Sequence, residues 1–110
     1  MVGILITMVM LVASAPAAEI PDWVSRAKAG EIGWADGEII FGVGKAPKMA
    51  NPSLQRDVAG NRARAMLPRA ANIPGAAEIQ LSEIIDRWET DDGTFYALAR
   101  VERSNIKPLR

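Results

Sequence analysis

The 110-residue sequence contains no cysteine and no histidine. Without cysteine there is no disulfide and no thiolate metal site, although an oxidising compartment would have permitted bridges. The lipoprotein form of export, in which a cysteine behind the leader is acylated, is excluded too, so no lipid anchor is expected. The commonest general base and the thiol nucleophile are missing together. Net charge is missing as well: thirteen acidic and thirteen basic residues cancel. With no block of like charge, electrostatic capture of nucleic acid or of an anionic membrane is not indicated. Neutrality also does little to keep free copies apart, which favours life inside an assembly.

Charge is absent altogether from Met1 to Ala18. The apolar run Val2 to Val12 has the length of a signal h-region, short of the roughly 20 residues a membrane span needs. Ala15-Pro16-Ala17-Ala18 fits signal peptidase cleavage after Ala17. Residues 1–17 are therefore expected to be a signal peptide and the mature chain to be periplasmic, with a retained N-terminal anchor as the alternative. Cleavage leaves about 90 residues, one small domain that buries somewhat over 60% of its unfolded surface.

Residues 18–37 carry Gly, Pro and isolated tryptophans without a sustained period, and read as an extended arm with one helical turn at Val24 to Lys28. A single domain then spans residues 38–110. Glu38 to Gly44 is an apolar run closed by glycines, the pattern of a buried strand. Gly42 and Gly44 mark close backbone approach by a packed neighbour. Asn51-Pro52 starts a helix, since Asn caps and Pro at the first position gives up no needed donor. Leu54, Val58 and Ala65 fall on one stripe with Ala59, Ala63, Met66 and Ala70 beside it and Arg56, Asp57, Gly60 and Arg64 opposite, and Pro68 ends or kinks the helix. Ile79 onward forms a hairpin, with a change of phase near Ser82 to Ile84 that predicts a bulge. Asp91-Asp92-Gly93 is its turn and Phe95 to Glu102 its return strand. The order strand, helix, strand, strand predicts an α+β domain: a small sheet with a C-terminal β-hairpin, covered on one face by a single helix.

Four motifs stand in order: Pro21-Asp22-Trp23-Val24, Phe41-Gly42-Val43-Gly44-Lys45-Ala46, Ala63-Arg64-Ala65-Met66-Leu67, and Trp88 followed by Asp92-Gly93 and Tyr96-Ala97-Leu98-Ala99. Together they resemble the Lpp-twenty-type family of small bacterial envelope lipoproteins, whose domain is also similar to a module of flagellar assembly protein T. The resemblance covers essentially the whole mature chain. It implies a non-catalytic envelope protein with envelope or flagellar protein partners. It supplies no functional residue, and the missing lipobox cysteine and the early Pro68 depart from the family pattern.

Gly42-Val43-Gly44-Lys45 is not a phosphate loop, because Ile39 stands where that pattern needs a glycine and Ala46 where it needs Ser or Thr. Asp86, Glu89, Asp91 and Asp92 are the carboxylates that a small hydrolase would have to use. Asp91 and Asp92 are better read as turn formers. No catalytic, cofactor or metal residue is assigned, and no cofactor is expected. Arg56, Arg62, Arg64 and Arg69 read as a solvated helix face, with Arg62 either paired to a carboxylate such as Asp86 or reaching past the sheet edge. Trp23, Trp34, Trp88 and Tyr96 read as core or arm anchors, or, if exposed side by side, as a platform for sugar rings. The predicted mode of action is a presented surface: the arm or the edge of the Phe95 to Glu102 strand, with Trp23, Trp34, Tyr96, Leu98 and Arg100 as candidate partner-binding residues. A cell-wall glycan-binding module is the alternative.

Overall fold

The computed structural model describes residues 19–109, and the expected leader lies outside them. The protein is an α+β fold. Helix α1 (Asp22–Lys28) leads to strands β1 (Gly33–Asp36) and β2 (Ile39–Ala46). Helix α2 (Pro52–Ala65) and the single turn α3 (Leu67–Ala70) follow. Then come β3 (Ala77–Ile79), β4 (Glu83–Glu89), β5 (Phe95–Glu102), a 3₁₀ turn and β6 (Ile106–Pro108). Four strands form one antiparallel sheet in the order β1-β2-β5-β4, and β3 pairs with β6 in a second, two-stranded sheet.

The segment expected to be an extended arm is folded onto the sheet. Asp36 pairs with Ile39 across Gly37, whose φ is 64°, so β1 and β2 form a tight hairpin. Ahead of it, α1 is pinned by Trp23 and Val24, both buried. A second difference concerns Ile79 to Leu81, read as the start of the hairpin strand. Ile79 instead pairs with Ile106 of β6, and Leu81 turns the chain at φ 61° before β4 begins. The bulge falls at Ile85, one residue beyond the expected stretch.

Helix α2 starts as its sequence dictates. The Asn51 side chain accepts hydrogen bonds from the Ser53 and Leu54 amides at 3.0 and 3.2 Å, with Pro52 at the first position. The face it buries is rotated from the expected stripe. Gln55, Ala59, Gly60 and Ala63 are buried, while Leu54 is 51% exposed. The strand explains the rotation. A Cβ at Gly42 or Gly44 would overlap the backbone of Ala63 and Ala59, so helix and strand touch through their main chains and only small residues fit between. This core adds Ile40, Leu67, Phe95, Ala97, Ala99 and Val101, closed at one end by Ile79 and Ile106 of the small sheet. The opposite face of the sheet carries a smaller cluster of Trp23, Val24, Val43, Tyr96 and Leu98. The sheet is therefore covered on both faces, by α2 and α3 on one and by α1 on part of the other.

Candidate functional site

The five residues named from the sequence lie on the α1 face of the sheet, where each is already engaged by neighbouring side chains. Trp23 is buried and its indole N–H donates to Asp86 Oδ2 at 2.9 Å. Tyr96 and Leu98 are 5% and 6% exposed beneath it. Trp34 stacks on Phe41 with ring centroids 5.6 Å apart, and the Arg26 guanidinium lies 3.9 Å from its ring centre. Arg26 is itself held by Glu31 through hydrogen bonds of 2.9 and 2.7 Å, which pull the Glu31 carboxyl below its ordinary range. Arg100 reaches Glu83 at 3.4 Å on the neighbouring strand. Among the described residues, no two tryptophans stand exposed side by side.

Strand order decides which backbone is free. The return strand β5 is central, paired with β2 on one side and β4 on the other, so its edge cannot accept a partner segment. That corrects the expectation of strand addition at Phe95 to Glu102. Edge positions belong to β1 and β4. β4 carries exposed charges at Glu83, Asp86, Arg87 and Glu89, as edge strands commonly do. Leu81, just ahead of the strand, and Ile85 within it interrupt that polarity, 80% and 44% exposed.

The four candidate carboxylates divide. Asp86 is engaged by Trp23 and by the Arg87 amide at 2.8 Å. Asp92 accepts from the Thr90 hydroxyl and from the Thr94 amide, the latter at 3.0 Å. Those bonds lower its pKa from 3.8 to about 2, the direction opposite to that of a general acid. Glu89, Asp91 and Asp92 nevertheless share a cleft of about 600 Å³ with Trp88, Tyr96 and Lys28. Gly93, at φ 90°, completes the turn, and its carbonyl accepts from the buried Gln55 side chain at 2.7 Å. Gln55 also donates to the Pro47 carbonyl at 3.0 Å, tying α2 to both loops.

A different concentration of charge lies on the other face. A helix roughly 10–12 Å across covers about two strands spaced near 4.8 Å, so α2 spans β2 and β5 and leaves β4 beyond its flank. The result is a groove of about 570 Å³ between α2 and β4, walled by Arg56, Arg64 and Arg87 and floored by Gly60, Ile84 and Ala97. The sequence showed Arg56 and Arg64 as part of a helix face. It did not join Arg87 to them, because that junction is made by tertiary structure alone. Arg62 lies outside this groove, donating to the Lys45 carbonyl at 2.9 Å at the opposite flank of the helix, and it pairs with no Asp86.

Among the described residues, no cluster of three acidic side chains is placed to hold a metal ion. No described helix is long and apolar enough to cross a membrane. Comparison with protein-family models, with curated proteins and with solved structures gives no match.

Proposed function

We propose that this chain is a non-catalytic domain of the bacterial cell envelope that acts through protein contacts, in envelope or flagellar assembly, after export to the periplasm. The observation that carries the reading is the outer edge of β4. An open strand edge offers unpaired N–H and C=O groups, and here Leu81 and Ile85 add exposed apolar side chains beside it. The four-motif resemblance to envelope lipoproteins and the apolar run Val2 to Val12 followed by Ala15-Pro16-Ala17 support the compartment. A photo-crosslinker at Ile85 should trap a discrete partner in envelope extracts, the product being competed by excess unmodified protein and lost in Leu81→Asp. Crosslinking that is diffuse, or that survives both competition and Leu81→Asp, would remove the edge as the contact surface. N-terminal sequencing of exported protein should begin at Ala18, and recovery of the intact leader in the membrane fraction would favour the anchored alternative.

The cleft at the hairpin tip favours a second reading, a glycan-binding module. The half-buried Trp88 lines it beside Glu89, Asp91 and Asp92, with the buried Tyr96 behind, so a sugar ring would meet one aromatic side chain and carboxylate acceptors together. Saturable binding of cell-wall glycan fragments, abolished by Trp88→Ala in a folded variant, is the result that would elevate this reading over the first.

A further inference from the structure

We propose that the groove between α2 and β4 binds an acidic segment of the partner polypeptide, an inference that rests on the protein-contact reading. Arg56, Arg64 and Arg87 converge on it, and Asp57 is the single carboxylate in its lining. Ion pairs among the described residues are made elsewhere, between Arg26 and Glu31 and between Arg100 and Glu83. The Arg64 Nε donates to Ser82 Oγ at 3.1 Å, which fixes that side chain in place and leaves the rest of its fork available. Among the described residues these three guanidinium groups have no carboxylate partner, and they share one cavity in a chain whose formal net charge is zero. Such forks match carboxylate and phosphate oxygens in bidentate geometry.

The floor gives an independent indication. Gly60 sits in the middle of α2, where glycine weakens a helix relative to alanine. Packing does not demand it: a Cβ there would meet Ile84 at 3.7 Å and Arg64 at 3.8 Å, ordinary contact distances, unlike the overlaps at Gly42 and Gly44. Its effect is to keep the groove floor low and open.

Two features select a polypeptide carboxylate over a phosphate. Asp57 repels a multiply charged phosphate more strongly than a singly charged carboxylate, and it can accept an amide N–H from a bound chain. Ile84 and Ala97 offer apolar surface to the methylene stems of glutamate. The groove also borders the strand whose outer edge carries Ile85, so one extended segment can engage edge and groove together.

The test is fluorescence anisotropy of a labelled oligoglutamate peptide with the full exported chain, at low and at physiological salt. Binding should be saturable, weaken with salt, and fall at least about tenfold in the Arg56→Glu/Arg87→Glu double variant. The Arg69→Glu/Lys107→Glu variant makes the same change in net charge away from the groove and should bind as the parent does. Circular dichroism checks that each variant is folded, and Arg56→Gln/Arg87→Gln, which also should bind more weakly, serves if the charge reversal disturbs folding. Equal binding by parent and groove variants overturns the inference. So does arginine-dependent binding of inorganic tripolyphosphate with none of oligoglutamate. Crosslinking through Ile85 that persists undiminished in the groove variant also overturns it, while leaving the edge reading in place.

Discussion

The two faces of the four-stranded sheet are packed by different means. Against α2 the contact is main chain to main chain, through Gly42 and Gly44 on the strand and Ala59 and Ala63 on the helix. Against α1 it is made by large side chains, Trp23, Val24, Tyr96 and Leu98, with a hydrogen bond from Trp23 to Asp86 on the rim. A backbone contact has no rotamer through which to relax, so the first face holds one geometry or fails. Long side chains can shift by a rotamer and leave gaps that solvent fills, so the second face tolerates change. The fixed face is also the one whose flank forms the arginine groove, which places those three guanidinium groups on a rigid support.

If that contrast is right, Gly44→Ala should have the largest effect of any single methyl added to the protein. The new Cβ would overlap the Ala59 and Ala63 backbone, and the expected loss is about 3 kcal/mol or more, read as a lower denaturant midpoint. A midpoint equal to that of the parent would show that α2 does not rest on β2 as described. Gly93→Val comes next. At φ 90° a β-branched residue is strained, and its side chain would press on Lys48, so a loss of about 2 kcal/mol is expected. On the tolerant face, Trp23→Phe removes the indole donor and one ring of a buried bicycle, and the neighbouring side chains can close part of that gap. Asp86 is exposed and can turn to water, so the expected cost is about 1–2 kcal/mol. A loss as large as that of Gly44→Ala would erase the distinction between the faces.

How much of this was legible in the sequence follows the same division. The Asn51 cap and the Gly93 turn are local signals with local causes, and the glycine pair of β2 signals a tertiary approach by residue type alone; each is where it was expected. Asp36-Gly37 is the same kind of turn signal as Asp92-Gly93, yet β1 went unseen because its four residues are too few to show alternation. The helix stripe was rotated because an alanine-rich helix has nearly equal apolar faces, and the choice among them is made by the glycines of the strand. Strand order is a tertiary property that no spacing encodes. It moved the open edge from β5 to β4 and brought Arg87 beside Arg56 and Arg64, which is why the sequence could name the helix arginines but could not assemble the groove.

The smallest effect tests whether the hairpin tip is governed locally or by α1. The Asp92 carboxylate is held near pKa 2 chiefly by the Thr90 hydroxyl, then by the Thr94 amide, with the charge of Lys28 on α1 contributing least. A carboxyl whose pKa is lower in the folded than in the unfolded chain stabilises the fold when ionised. That contribution is complete above about pH 4 and is lost as pH falls through about 2. Thr90→Val removes the largest cause, so the Asp92 pKa should rise toward 3.8, and the acid-side loss of stability should become smaller and be complete at higher pH. Lys28→Gln removes the smallest cause and should move the titration less. NMR titration of the Asp92 side-chain carboxyl in the three proteins measures both shifts directly. A larger shift in Lys28→Gln than in Thr90→Val would mean that α1, not the turn itself, sets the charge at the hairpin tip, and that the tolerant face holds its rim more firmly than its packing implies.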